Sequence, residues 1–147
     1  MSHAPPQPLC PAAAAPIKAD SFNEAVALFS TRSGLQVADI RSGCGALEQP
    51  GQQVTIQYTL WLANGREVGT SRTSQRGPFT FVPGDGTTIP AFTFGFTNMR
   101  VGGVRRLVIP APLGFGAQGV PPLIPANATL VVDMELLRVS WPARTQA

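Results

Sequence analysis

The amino-acid sequence predicts an α+β domain of about five antiparallel strands, one short helix and one long loop. Three observations carry that prediction. VTIQYTLWL, Val54 to Leu62, alternates apolar and polar residues with the period of a strand that buries one face. Asn64-Gly65 follows at once, a dipeptide suited to the left-handed backbone of a tight hairpin. Fifteen glycines and fifteen prolines in 147 residues imply many turns between short elements. That length supplies one domain with a core of its own and is too short to expect two.

Taken in order, MSHAPPQPLCPAAAAPIK is rich in Pro and Ala and lacks an apolar period, so residues 1–20 are expected to form an extended or disordered arm. Ser21-Phe22-Asn23-Glu24 has capping-box spacing and opens EAVALF, which predicts a helix near 22–29 followed by a linker to residue 32. LQVADIRSG reads as a strand ending at Gly43. After the Pro50-Gly51 turn comes the Val54–Leu62 strand, against which Arg66 to Ser71 is expected to pair back. PFTFVPGDG holds a short strand with Phe79 and Phe81 on one face. VRRLVIP is another strand, residues 110–128 are a Pro- and Gly-rich loop, and TLVVDMELLRVS is a long last strand. Trp141-Pro142 opens a tail over 141–147. A long ordered loop inside a compact domain is usually functional.

Charge excludes several functions. The net charge of +3 comes almost wholly from scattered arginines, with Lys18 the only lysine, and nucleic-acid binding would need a denser basic patch. No run reaches the roughly 18 apolar residues of a membrane span. No charged region followed by an apolar one opens the chain, so no secretory signal is visible and the cytoplasm is the default compartment. The lone histidine, His3, lies in the arm, no histidine is near Cys44, and a zinc site would need more ligands, so no metal or other cofactor is expected. Cys10 and Cys44 are read as two independent thiols, with a disulfide as the alternative in an oxidising compartment. Asp133 and Glu135 share one face of the last strand and are read as a solvated face rather than a catalytic pair. No hydrolytic constellation is present, so any chemistry must come from an apolar pocket.

TIPAFTFGFTNM, Thr88 to Met99, admits two readings. Phe92, Phe94 and Phe96 alternate like a strand, whereas Pro90 suits the first turn of a helix. At helical spacing, Ile89, Phe92, Phe96 and Met99 form one apolar stripe, and Phe94 is left about 200° around from Phe92.

VTIQYTLWLANGREVGTSR, PFTFVPG, VGGVRRLVIPAPLGFGAQG and LIPANATLVVDMELLRV, in that order, resemble the FKBP family of peptidyl-prolyl isomerases over about residues 33–140. The resemblance implies an FKBP-like twisted antiparallel sheet wrapped around one short central helix, with the N-terminal residues as an extension, and it makes Thr88–Met99 that helix. It implies a pocket between helix and sheet. Tyr58 matches the family's sheet tyrosine, Phe79 a wall aromatic, and Ile89 the residue whose backbone N–H receives a bound carbonyl. Phe92 stands at the floor tryptophan, and Leu123 and Ile124 match apolar residues of the long loop. Phe115 replaces a tyrosine, Val68 and Val132 replace phenylalanines, and Gly69 replaces a rim aspartate. Thr88 adjoins Ile89 and is counted with Val68, Gly69, Leu123 and Val132 among the substrate-binding positions.

The implied function is catalysis of X–Pro isomerisation in proline-containing protein segments, as a folding helper, with activity reduced by these departures. The implied alternative is a non-catalytic FKBP-fold subunit or scaffold of a larger assembly, with Phe94 as a partner contact. The lost aspartate and tyrosine predict poor macrolide binding.

Overall fold

The computed structural model describes residues 28–72 and 77–142. Among these residues, seven strands form one antiparallel sheet: β1 (Phe29–Ser30), β2 (Gln36–Arg41), β3 (Gln53–Leu62), β4 (Glu67–Thr70), β5 (Phe79–Phe81), β6 (Val104–Ile109) and β7 (Leu130–Ser140). Their spatial order is β1-β2-β6-β7-β3-β4, and β5 pairs with β3 beside that path. A single turn of α-helix, α1 (Ala91–Phe94), lies between β5 and β6. Arm residues 1–20, the first part of the expected 22–29 helix and most of the tail lie outside the described residues. The end of that helix does not form: Phe29 and Ser30 pair with Val37 and Gln36 as a strand.

Strand parity decides the core. Ile56, Tyr58, Leu60 and Leu62 of β3 face Leu136, Met134, Val132 and Leu130 of β7 in direct register. Leu107 and Ile109 of β6 continue those rows opposite Val132 and Leu130. Phe92, Phe96 and Met99 pack onto this inner face, so the helical-spacing stripe is buried as one unit, with Ile89 partly buried against it. The α-helix proper stops at Phe94, and Asn98 turns the chain with a φ of 60°. Gly95 is required by closeness: a Cβ there would lie 2.8 Å from Leu107 Cδ1 and 3.1 Å from the Ala91 carbonyl oxygen. The Asn64-Gly65 hairpin closes as expected, with Leu62 N–H donating to Arg66 O at 2.8 Å and Gly65 at φ 93°.

The outer face overturns one expectation. Asp133 is not solvated; it is fully buried opposite Arg106, whose Nε and Nη2 donate to its two oxygens at 2.6 and 2.9 Å. The Arg106 guanidinium lies 5.6 Å from the Trp61 ring centroid. Burial of a carboxylate demands such pairing, which parity alone cannot announce. Glu135, of the same parity, stays partly exposed between Arg41 and Arg72. Arg105 is buried too, but on the inner side: it donates to Asp39 at 2.7 Å and to the carbonyls of Gly95 and Thr97 at 2.8 and 2.9 Å. It satisfies carbonyls that a helix of one turn leaves open. The reading of independent thiols is also overturned, because Cys44 is disulfide-bonded. Cys10 lies outside the described residues.

Candidate active site

A cleft of about 450 Å³ opens between α1 and the inner face of the sheet. The pleat brings Tyr58 and Leu60 to it from β3 and Val132 from β7. β5 adds Phe79, α1 and its approach add Ile89, Pro90 and Phe92, and the 110–128 loop adds Gly114 and Phe115. Gly86, Thr87 and Thr88 complete the rim. Tyr58 meets Phe79 edge-on at 6.2 Å between ring centroids, and Phe79 stacks on Phe81 at 5.0 Å. Phe81 in turn contacts Phe92 at 5.6 Å and Phe96 at 5.7 Å, so the walls form a continuous aromatic chain rooted in the core.

Among the described residues, no carboxylate, amine, guanidinium, thiol or imidazole lines this cleft. Its polar groups are hydroxyls and backbone. Among the described residues the Ile89 N–H has no protein acceptor, while the Ile89 carbonyl accepts from Phe92 N–H at 3.1 Å. A free donor at the mouth of an apolar cleft can take one carbonyl oxygen from a ligand. The rim is braced by Asp85, which accepts from Thr87 N–H at 2.9 Å and Thr87 Oγ1 at 2.6 Å. These bonds from Thr87 hold the Asp85 carboxyl below its ordinary range. No group of three or more His, Cys, Asp or Glu able to hold a metal occurs among the described residues.

A family model described as FKBP-type peptidyl-prolyl cis-trans isomerase matches residues 44–137. An FK506-binding protein of Neisseria meningitidis serogroup B is 40% identical over 106 residues, covering 72% of this chain and 96% of that protein. The chain belongs to the FKBP-type peptidyl-prolyl cis-trans isomerase family. FK506-binding protein 4 of Dictyostelium discoideum is 45% identical over 105 residues, which are 71% of this chain and only 28% of that longer one. The crystal structure of FkpA from Escherichia coli superposes with a TM-score of 0.72 at 35% identity, over 83% of this chain and 55% of that one. As a member of the family the protein is a peptidyl-prolyl cis-trans isomerase, acting on proline-containing protein segments. No helix among the described residues is long and apolar enough to cross a membrane.

Against the FKBP resemblance, the structure gathers Tyr58, Phe79, Thr88, Ile89, Phe92, Phe115 and Val132 around one cleft. Four other positions stand apart from its lining. Ile124 is buried in the core and Leu123 is exposed on the loop. Val68 packs partly buried against the core. Gly69 sits opposite Leu60 in the β3–β4 register, with open space where a Cβ would project. Phe94 points away from the cleft and is 48% exposed. Sequence reasoning missed Leu60, although the alternation of β3 carries the signal: Leu60 is two residues from Tyr58 and therefore on its face. It also missed Gly86, Thr87, Pro90 and Gly114, which complete the lining.

Proposed function

We propose that this cleft is where the isomerase reaction takes place, and that the reaction runs slowly here compared with a cleft carrying the full set of aromatic and polar groups. The observation that carries the reading is an aromatic cleft with no charged group among the described residues, and with the Ile89 N–H at its mouth lacking an acceptor among them. An X–Pro bond rotates over a barrier of about 20 kcal/mol because rotation breaks amide resonance. The twisted amide has less charge separation across its C–N bond than the planar one. A dry aromatic surface therefore favours the twisted form over the planar ground state, and no acid, base, nucleophile or metal is needed.

In this reading the proline ring lies on Phe92, walled by Tyr58, Phe79 and Phe115, with Ile124 backing the wall from the core. The Ile89 N–H holds the carbonyl of the bound segment and limits its positions. Thr88, Val132, Val68, Gly69 and Leu123 set the room for the flanking residues. The slow rate follows from the departures. Phe115 lacks a phenolic donor, which is worth on the order of 1 kcal/mol. Valine at 132 gives a smaller wall than an aromatic would. We take residues 33–140 as the catalytic unit.

The test is NMR exchange spectroscopy on X–Pro peptides with folded protein. The expected result is cis–trans exchange above the uncatalysed rate, reduced at least fivefold by Phe92→Ala. Exchange at the uncatalysed rate would reject the reading.

A further inference from the structure

A second cavity, about 470 Å³, lies beside α1 and the turn that follows it, and shares no described lining residue with the cleft. Its buried wall is Phe96, whose ring also meets Phe81 at 5.7 Å at the root of the cleft's aromatic chain. Leu47, Pro50 and Pro83 give it apolar sides, and Glu48 is the one charged residue among its described lining residues. Backbone pairing holds these groups in place. Leu47 bridges Arg100, and Glu48 N–H donates to Met99 O at 2.8 Å. The next turn is closed by Gln52 N–H to Gln49 O at 3.1 Å and by Gln49 N–H to Gln52 Oε1 at 2.9 Å. The cavity is thus formed before any ligand arrives, and its volume falls in the range of small-molecule sites.

Glu48 decides the ligand's charge. Its carboxylate makes no ion pair among the described residues. Arg105 attracts it, but that guanidinium is committed to Asp39 and to the carbonyls of Gly95 and Thr97. Burial therefore pushes the Glu48 carboxyl up from its ordinary range, and Arg105 pulls it back only in part. A half-buried carboxylate without a counter-ion gains from a ligand cation that can donate hydrogen bonds to it. An ammonium carries three such donors. The Thr93 hydroxyl and the Asn98 side-chain amide also line the cavity and bond to no group among the described residues, which adds two neutral acceptors. An anion would be repelled here, and a neutral apolar molecule would leave Glu48 desolvated and unpaired.

We propose that this cavity binds a small primary amine carried on an apolar ring, with the ammonium on Glu48 and the ring against Phe96, Leu47 and Pro83. The site is distinct from the cleft, and the proposal is independent of the reading of the cleft.

The experiment titrates the full-length, nitrogen-15-labelled protein with phenethylamine at neutral pH and follows its amide NMR spectrum. 2-Phenylethanol and phenylacetate serve as neutral and anionic controls of the same shape. Phenethylamine should shift the amides of Glu48, Gln49, Thr93, Phe96, Thr97 and Asn98 with a Kd of about 1 mM or below. The alcohol should bind about tenfold more weakly, and phenylacetate more weakly still. Glu48→Gln should weaken the amine about tenfold while leaving the rest of the spectrum and the isomerase rate unchanged. That loss reads the charge contact, because removing a half-buried carboxylate without an ion-pair partner does not cost the fold. Should the variant fail to fold, the three-ligand series on the wild type decides. No shift with phenethylamine at about 20 mM overturns the proposal, as do equal binding of amine and alcohol and full binding to Glu48→Gln. Shifts confined to Thr88, Ile89 and Phe115 place the ring in the cleft instead and overturn it equally.

Discussion

The two faces of the same strands, β3, β6 and β7, carry opposite chemistry. Inward, Tyr58, Leu60 and Val132 meet α1 and the cleft, and among the described residues no charged side chain reaches the lining. Outward, one residue along, Asp133 is buried against Arg106 beneath Trp61. On the proposed reading, the cleft can do without charge because it works by shedding water from an amide. The outer face tolerates buried charge because each ion finds a partner whose geometry fits two hydrogen bonds. Arg105 marks the boundary between them: it stands on the inner side but binds backbone carbonyls of the α1 turn and Asp39 rather than the cleft.

The harshest way to break this contrast is to orphan the outer charge. Asp133→Ala should destabilise the fold by about 3–5 kcal/mol, because Arg106 is left ionised and buried. Replacing both partners, Arg106→Met with Asp133→Leu, should recover most of that loss. Urea unfolding measures both, and kcat/KM of the folded double variant should match the wild type if the faces work separately. Recovery of less than half the loss would show that the pair does more than neutralise itself. A smaller effect is expected from crowding the inner face. Gly95→Ala places a methyl group 2.8 Å from Leu107 Cδ1 and should cost about 1–3 kcal/mol in the same measurement.

Much of this contrast was legible in the sequence, and its limits have physical causes. Period-two alternation placed β3 and β7, and Asn64-Gly65 placed the hairpin, because those signals are local. Alternation says which residues share a face, and it does not say what covers that face. Asp133 looked solvated for this reason, since its cover comes from Arg106 and Trp61 on neighbouring strands. Thr88–Met99 admitted two readings by spacing alone, and the resemblance chose the helix. Phe92 and Phe96 are buried and Phe94 is exposed, so a strand-like alternation coexists with a one-turn helix that ends at Phe94. Leu60 was readable from parity beside Tyr58, whereas Gly86 and Gly114 reach the cleft by chain path, which no residue type encodes. Phe29 belongs to a strand of two residues, too short for any period to show.

Within the cleft the contrast can be sharpened by adding polarity without charge. Phe115→Tyr supplies a phenolic donor where only a ring edge stands, and one hydrogen bond is worth about 1 kcal/mol. The expected gain is about fivefold in kcat/KM for an X–Pro peptide. A loss instead would mean that the hydroxyl wets a surface that works by being dry. Since the described residues of the lining include no carboxylate, imidazole, thiol or amine, kcat/KM should also be flat from pH 5.5 to 8 in both proteins.

The smallest effects should come from the two carboxyls near the edges of this apolar region, and they carry opposite signs. Hydrogen bonds from Thr87 lower the Asp85 carboxyl from its ordinary 3.8, so its contribution to stability is fully present above that value and lost as pH falls through the lower folded value. Burial raises Glu48 above its ordinary 4.5, against the attraction of Arg105, so its contribution is present below that value and lost as pH rises through the folded one. Asp85→Asn should therefore flatten the decline in stability below about pH 4, and Glu48→Gln should raise stability slightly at neutral pH while leaving the acid limb intact. Urea midpoints from pH 3 to 7 separate the two. If Glu48→Gln lowers the midpoint at pH 7, the pull of Arg105 outweighs the burial, and the edge of the inner face relies on charge after all.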